Sequence, residues 1–266
     1  MREAKQITFG SIGRQDGWNG MDWLPDGRIV YSARIDQSLT IWIMNGDGTN
    51  ARQLTPNGFW DKHLRASSDG KFIVFDSNRS GKLEIWRIGT DGNDLRQLTT
   101  DGENSNPSVT PDGKWLIYQH STDEGNSILR VALEGVQPIR LTDKNASYPS
   151  VSPDGKFVAC RYSAGGKTQL AVVSIEGGEP LKLFDVPSTH NFENTSIRWS
   201  PNGRFIYYRD WANGIWQQST EGGQSLRLES LPQEKLYNYG WSSDGEQFAF
   251  VRGQEIREVI LLNNFR

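Results

Sequence analysis

The chain has 266 residues, a formal net charge of −3 and no apolar run near the roughly 20 residues of a bilayer-crossing helix. These totals exclude a membrane-inserted helix and the global basic field that nucleic acid or anionic lipid attracts, so no nucleic-acid partner and no direct membrane insertion are expected. A single cysteine, Cys160, excludes an internal disulfide; its place in Phe157-Val158-Ala159-Cys160-Arg161-Tyr162 makes it a buried structural thiol.

Six copies of one short phrase organise the sequence: Asp26-Gly27, Asp69-Gly70, Asp112-Gly113, Asp154-Gly155, Asn202-Gly203 and Asp244-Gly245, spaced by 43, 43, 42, 48 and 42 residues. A period of this length is the signature of a repeat fold. In chain order, the N-terminus carries Lys5-Gln6-Ile7-Thr8, with no apolar segment behind Met1, so no signal peptide is expected. Unit one has its turn at Asp26-Gly27, a third strand at 39–43 and a fourth ending in Arg52-Gln53-Leu54-Thr55. Unit two repeats this with Leu83 to Ile88 and Arg96-Gln97-Leu98-Thr99, and unit three ends in Arg140-Leu141-Thr142. Unit four is the cleanest: strands at 148–152 and 157–162 flank Pro153-Asp154-Gly155-Lys156, and strands at 169–175 and 180–183 flank Glu176-Gly177-Gly178-Glu179. Proline presets φ at the first turn position and glycine takes the positive φ, so each such phrase reverses the chain. Unit five follows an insertion, Asp185 to Thr195, and has a third strand at 215–218. Unit six has strands at 247–251 and 258–262 and stops at Arg266 without a fourth.

Four short antiparallel strands per unit, repeated without a helix, are propeller blades. The expected fold is all-β: a six-bladed β-propeller of four-stranded antiparallel blades, one domain over residues 1–266. Because Lys5 to Thr8 matches Arg52 to Thr55 in type and order, the N-terminal strand (residues about 4–9) is expected to complete the last blade and close the ring.

The phrase Pro-Ser-Val-Ser-Pro-Asp-Gly-Lys at 149–156, with downstream Arg-Gln-Leu-Thr endings, resembles the WD40-like repeat of TolB and its relatives. That resemblance implies a TolB-like six-bladed propeller, with partner docking at the channel mouth. The closing segment from Trp241 to Arg266 resembles the C-terminal propeller of bacterial sensor kinases and winged-helix regulators. This implies a sensory role, periplasmic if the domain belongs to a membrane-anchored sensor and cytoplasmic otherwise.

Catalytic signatures are absent: there is no Gly-x-Ser-x-Gly elbow and no His-x-x-x-His pair. The Asp-Gly aspartates are expected to bond their own turn backbones. Alternation along each innermost strand locates the candidate site instead. Three and five residues before the turn Asp or Asn, the sets are mainly apolar (Trp23, Ala66, Val109, Val151, Trp199, Trp241; Met21, Leu64, Pro107, Pro149, Ile197, Tyr239) and are expected between blades. Four and six before, the sets are polar (Asp22, Arg65, Ser108, Ser150, Arg198, Gly240; Gly20, His63, Asn106, Tyr148, Ser196, Asn238) and are expected around the channel. The entry segments add Trp18, Trp60, His190, Asn194 and Tyr237. Flat aromatics mixed with Asn, His and Arg suit peptide or sugar recognition. The ligand-binding set is therefore Trp18, Asp22, Trp60, His63, Arg65, Asn106, Tyr148, His190, Asn194, Arg198, Tyr237 and Asn238, on a monomeric, non-catalytic domain that needs no metal or cofactor. Two alternatives stand beside it. One is a carbohydrate-active lyase or hydrolase using His63, His190 and Arg65. The other is a water-filled channel in which Asp22 merely pairs with Arg65 of the next blade.

Overall fold

Each Asp-Gly phrase folds as a four-residue reversal. The amide of Gly27 donates to the carbonyl of Leu24 at 3.0 Å, and the same bond recurs at Gly70, Gly113, Gly155, Gly203 and Gly245. All six glycines take positive φ, between 68° and 83°, a region open to glycine at little cost. In units two to six a Ser or Thr two residues before the Asp or Asn locks the turn. In unit four the Ser152 hydroxyl donates to Asp154 at 2.6 Å and accepts from the Phe157 amide at 3.0 Å, while Asp154 accepts from the Lys156 amide at 3.1 Å. The turn aspartates are thus occupied by their own backbones. The Thr110 hydroxyl holds the Asp112 carboxyl below its ordinary value, and the Ser242 hydroxyl does the same for Asp244.

The computed structural model describes residues 5–8, 16–135, 137–143, 145–187, 196–210, 214–229, 231 and 235–253. Blade 1 is β1 (Asp16–Trp23), β2 (Ile29–Ile35), β3 (Ser38–Met44) and β4 (Arg52–Gln53), and blade 2 is β5 (Lys62–Ala66), β6 (Phe72–Ser77), β7 (Glu84–Gly89) and β8 (Arg96–Gln97). Blade 3 is β9 (Glu103–Val109), β10 (Trp115–Thr122), β11 (Gly125–Ala132) and β12 (Ile139–Arg140). Blade 4 is β13 (Ala146–Val151), β14 (Phe157–Ala164), β15 (Lys167–Ser174) and β16 (Lys182–Asp185), and blade 5 is β17 (Arg198–Trp199), β18 (Phe205–Asp210), β19 (Gly214–Ser219) and β20 (Leu226–Arg227). Every pairing is antiparallel between sequential strands, and β21 (Lys235–Trp241) and β22 (Phe248–Gly253) form a two-stranded sheet.

Among the described residues the propeller has five four-stranded blades, which corrects the expected six-bladed ring. The sixth repeat contributes only the β21–β22 hairpin among the described residues, and its expected third strand at 258–262 lies outside them. Residues 5–8 pair with no strand among the described residues, and the strand that the expected closing strand would pair with lies outside them. Side-chain burial fixes this segment instead. Ile7 packs on the cluster of Met21, Trp23, Ile29, Tyr31 and Met44 between blade 1 and the β21–β22 sheet, and its carbonyl lies over Gly48.

The cores sit between sheets. Leu24, Val30 and Ile41 of blade 1 meet Leu64, Ile73 and Phe75 of blade 2. Equivalent layers join blades 2 to 3, 3 to 4 and 4 to 5, and Tyr207 and Ile215 of blade 5 meet Leu236 and Tyr239 of β21. The β21–β22 sheet thus lies between blade 5 and blade 1, where Trp23 Nε1 donates to the Gly240 carbonyl at 3.3 Å. Burying each large apolar side chain in such a layer contributes about 1.5–3 kcal/mol. Cys160 belongs to the layer between blades 3 and 4; its burial pushes the thiol up to about 12, so it is inert.

Candidate functional site

Innermost strands run from one end of the molecule toward the Asp-Gly turns, and near their start the pairing slips. Register shifts fall between Asp16 and Met21, Lys62 and Arg65, Ser105 and Ser108, Ser147 and Ser150, and Leu236 and Asn238. Three non-glycine residues at equivalent bulge positions take left-handed backbone: His63 (φ 48°), Asn106 (φ 53°) and Tyr148 (φ 57°). For a bulky residue such as Tyr148 this conformation costs on the order of 1–3 kcal/mol, so the fold must hold it in place. The second strand supplies that hold. Asp76 Oδ1 accepts from the Asn106 amide at 3.2 Å, and Gln119 Oε1, the equivalent atom one blade on, accepts from the Tyr148 amide at 3.2 Å.

These bulges converge. Gly20, His63, Asn106, Tyr148, Ser196 and Asn238, one from each repeat, line a single cavity of about 80 Å³ at the mouth of the central channel. Trp18, Asn19 and Tyr237 wall it from above, Arg65 from within and Arg209 from β18. Pro107 and Pro149 also reach the wall, because the bulge breaks the strict alternation that would have turned them wholly toward the neighbouring blade, and Ile197 lines it too.

Seven of the twelve candidate residues, Trp18, His63, Arg65, Asn106, Tyr148, Tyr237 and Asn238, thus share one cavity. Asp22 and Arg198 do not line it. They form an ion pair at 3.2 Å that joins blade 1 to blade 5, while Asp22 Oδ2 accepts from the Ala66 amide of blade 2 at 3.1 Å and Arg198 donates to the Met21 carbonyl at 2.5 Å. The alternative in which Asp22 pairs with Arg65 is thereby corrected: the carboxylate is taken by Arg198. Trp60 stands outside the cavity and is 53% exposed, its Nε1 donating to the Gln37 carbonyl at 2.9 Å with Lys62 Nζ 5.9 Å from its ring. His190 and Asn194 lie outside the described residues.

Two residues that the strand register did not single out shape the site. The buried Asp76 carboxylate fixes His63 through an Nδ1–Oδ1 contact of 2.8 Å, while its Oδ2 is buried with no hydrogen-bond partner among the described residues. Arg209 donates to the Leu236 and Tyr237 carbonyls at 3.3 and 2.5 Å and so ties β18 to the mouth. Both stand seven residues after the turn Asp or Asn, in the otherwise apolar runs Phe72-Ile73-Val74-Phe75 and Phe205-Ile206-Tyr207-Tyr208. A charge ending an apolar strand was the available signal.

The cavity is electropositive. Burial, reinforced by the Arg198 charge and opposed by Asp22, pushes Arg65 down to about 9, and burial pushes Arg209 down to about 10; both remain protonated at neutral pH. Burial also drives the Tyr239 phenol far up, and it donates to the Ser196 carbonyl at 2.7 Å. Above the cavity, Trp18 meets Tyr237 edge-on at 5.8 Å. Among the described residues no three His, Cys, Asp or Glu side chains gather as a metal ion requires. A second, apolar groove of about 410 Å³ lies between blades 2 and 3 at the Asp-Gly end, lined by Phe72, Trp115 and Leu133. Arg87, Lys114 and Glu134 also line it, and Arg87 pairs with Glu134 at 3.9 Å.

The sequence model of the TolB beta propeller domain matches residues 9–189. No curated protein matches the chain. Among solved structures, TolB from Acinetobacter baumannii is 24% identical with a TM-score of 0.63 over 76% of this chain and 51% of that one, so this chain spans about half its length. An Agrobacterium tumefaciens protein assigned as TolB is 19% identical with a TM-score of 0.72, covering 89% of this chain and 90% of its own. Oligogalacturonate lyase from Vibrio parahaemolyticus is 13% identical with a TM-score of 0.58, covering 88% of this chain and 70% of its own. At these identities the solved structures share the fold.

Proposed function

Because the chain belongs to the TolB beta propeller domain family, we propose that it is a non-catalytic binding module that docks a protein, peptide or small ligand at the channel mouth. The observation that carries this reading is the convergence of one residue from every repeat on one polar cavity, beneath the aromatic edge of Trp18 and Tyr237. A cavity of about 80 Å³ holds roughly five to eight waters at ~10–15 Å³ each, whereas drug-sized sites run to about 300–1,000 Å³. It therefore takes one protruding group of a larger partner, whose remainder lies across the rim and stacks on Trp60. In this reading the domain is a monomeric sensory or interaction unit of a bacterial signalling or envelope system, periplasmic where it belongs to a membrane-anchored sensor.

A thermal-shift screen with peptides, oligosaccharides and divalent metals tests the proposal. A ligand at 100 times its dissociation constant adds about 2.7 kcal/mol. Stabilisation by a peptide that Trp18→Ala and Trp60→Ala abolish is expected; stabilisation that survives both contradicts it.

One observation favours a second reading, a carbohydrate-active lyase or hydrolase. His63 is oriented by a buried carboxylate at 2.8 Å and shares its cavity with Arg65, an arrangement able to move a proton beside a developing negative charge. Turnover of oligosaccharides that is lost in His63→Gln would favour it over docking.

A further inference from the structure

We infer that the channel mouth is a carboxylate receptor, seating an acidic side chain or the chain end of a docked peptide against Arg65. The inference rests on the docking reading and names the group that enters. The cavity wall carries two guanidinium groups and the His63 imidazole, and among the described residues no carboxylate lines it. Among the described residues, the carboxylates that act on Arg65 and His63 have other partners, although Asp76 Oδ2 has none there. Asp22 is held by Arg198 and by the Trp23 and Ala66 amides, and Asp76 Oδ1 by His63 and the Asn106 amide. Arg65 has no carboxylate within ion-pair distance among the described residues; its one hydrogen bond there runs to the carbonyl of its neighbour Leu64 at 3.3 Å.

A half-buried guanidinium placed beside a second cation is electrostatically costly unless an anion arrives to share it. Uncharged donors point the same way. Asn238 Oδ1 accepts from the Ser196 hydroxyl and the Tyr239 amide at 3.3 and 2.9 Å, which leaves its amide N–H groups for a ligand oxygen. Arginine's planar fork matches a carboxylate in two parallel bonds, and the small volume admits that group with a methylene or two behind it. A chain end or an acidic side chain has this shape; a polymer threaded through the channel does not.

The test uses the whole chain and two isosteric probes, propionate and propionamide, at matched ionic strength, read by melting temperature and by tryptophan fluorescence. Propionate is expected to raise the melting temperature saturably while propionamide does not. Arg65→Gln is expected to weaken the effect about tenfold or more, since hydrogen bonds to charged groups count among the stronger ones. Arg65→Lys, which keeps the charge and loses the fork, should fall between, and it keeps the test valid if Arg65→Gln melts poorly. Equal responses to the two probes, an unaltered propionate response in both Arg65 variants, or a stronger saturable response to inorganic phosphate overturns the assignment. Peptides synthesised with free and amidated ends separate this failure from that of docking. Binding that Trp18→Ala abolishes but amidation and acidic-to-amide replacement leave intact removes only the carboxylate. Binding indifferent to Trp18→Ala and Trp60→Ala removes the docking reading itself.

Discussion

Replacing Asp22 by alanine should destabilise the protein far more than the change of one partly exposed side chain suggests. Its carboxylate serves three segments: the Trp23 amide of its own strand at 3.1 Å, the Ala66 amide of blade 2 at 3.1 Å and the Arg198 guanidinium of blade 5 at 3.2 Å. Leaving an amide such as that of Ala66 without its acceptor costs about 1–3 kcal/mol. Breaking a buried ion pair costs about 3–5 kcal/mol. Here the pair makes a single contact, its side chains are 10% and 17% exposed, and Arg198 keeps the Met21 carbonyl, so the pair's share belongs well below that range. About 3–4 kcal/mol in total is expected, or a fall of about 6–16 °C in Tm at ~2–4 °C per kcal/mol for a chain of this size. Asp22→Asn, which retains an acceptor oxygen, should lose about half as much. Urea denaturation of Asp22→Ala, Arg198→Ala and the double variant measures the coupling directly. A loss below about 1 kcal/mol in Asp22→Ala, or strictly additive effects in the double variant, would refute the idea that this pair ties blade 5 to blade 1.

Three further outcomes are expected. Trp60→Ala, at an exposed rim position, should change stability by no more than about 0.5 kcal/mol while weakening a mouth ligand about tenfold or more; a core-like loss of Tm would show that the ring is structural. Gly48→Ala should cost clearly more than Gly113→Ala. Both glycines have positive φ, but a Cβ at Gly48 meets the Ile7 carbonyl at 2.3 Å whereas one at Gly113 meets nothing within 4 Å, and equal losses would mean that residues 5–8 do not sit against blade 1. The turn aspartates set an acid limit. Asp112 and Asp244 are held below the ordinary carboxylate value by the Thr110 and Ser242 hydroxyls. Their stabilisation is thus fully present above the unfolded-state value near ~4 and is lost as pH falls through the folded-state value. Asp112→Asn should flatten the fall in urea midpoint between pH 5 and pH 3, much as Asn202 already serves the turn of unit five through the Arg204 amide at 3.1 Å. An unchanged acid profile would contradict this.

Local chemistry made the repeat legible. The periodic Asp-Gly phrase fixes a reversal in each unit, and its Ser or Thr partner two residues earlier repeats in five units, so the strands and the channel-facing set from Gly20 to Asn238 could be placed by counting. Counting also located seven residues of the cavity. It failed where geometry departs from period two. The bulges at His63, Asn106 and Tyr148 rotate Pro107 and Pro149 into the wall, and nothing in a two-residue alternation announces that turn. Pairing partners were hidden for a related reason. Asp22 stood in register with Arg65 of the next blade, yet the carboxylate went to Arg198, 176 residues away, because ring geometry rather than sequence proximity sets which charges meet. Lys5 to Thr8 resembles the ends of other blades; among the described residues the segment packs through Ile7 and enters no ladder, and its expected partner strand lies outside them.

Site-specific photocrosslinking in cells that make the protein tests the central claim most directly. A photoreactive residue would replace Trp60 or Tyr237 at the channel mouth, or Lys114 or Lys156 beside the Asp-Gly turns at the opposite end. The account predicts discrete adducts from the mouth positions, competed by the carboxylate probe, and none from the turn end. Adducts formed only at Lys114 and Lys156 would contradict it.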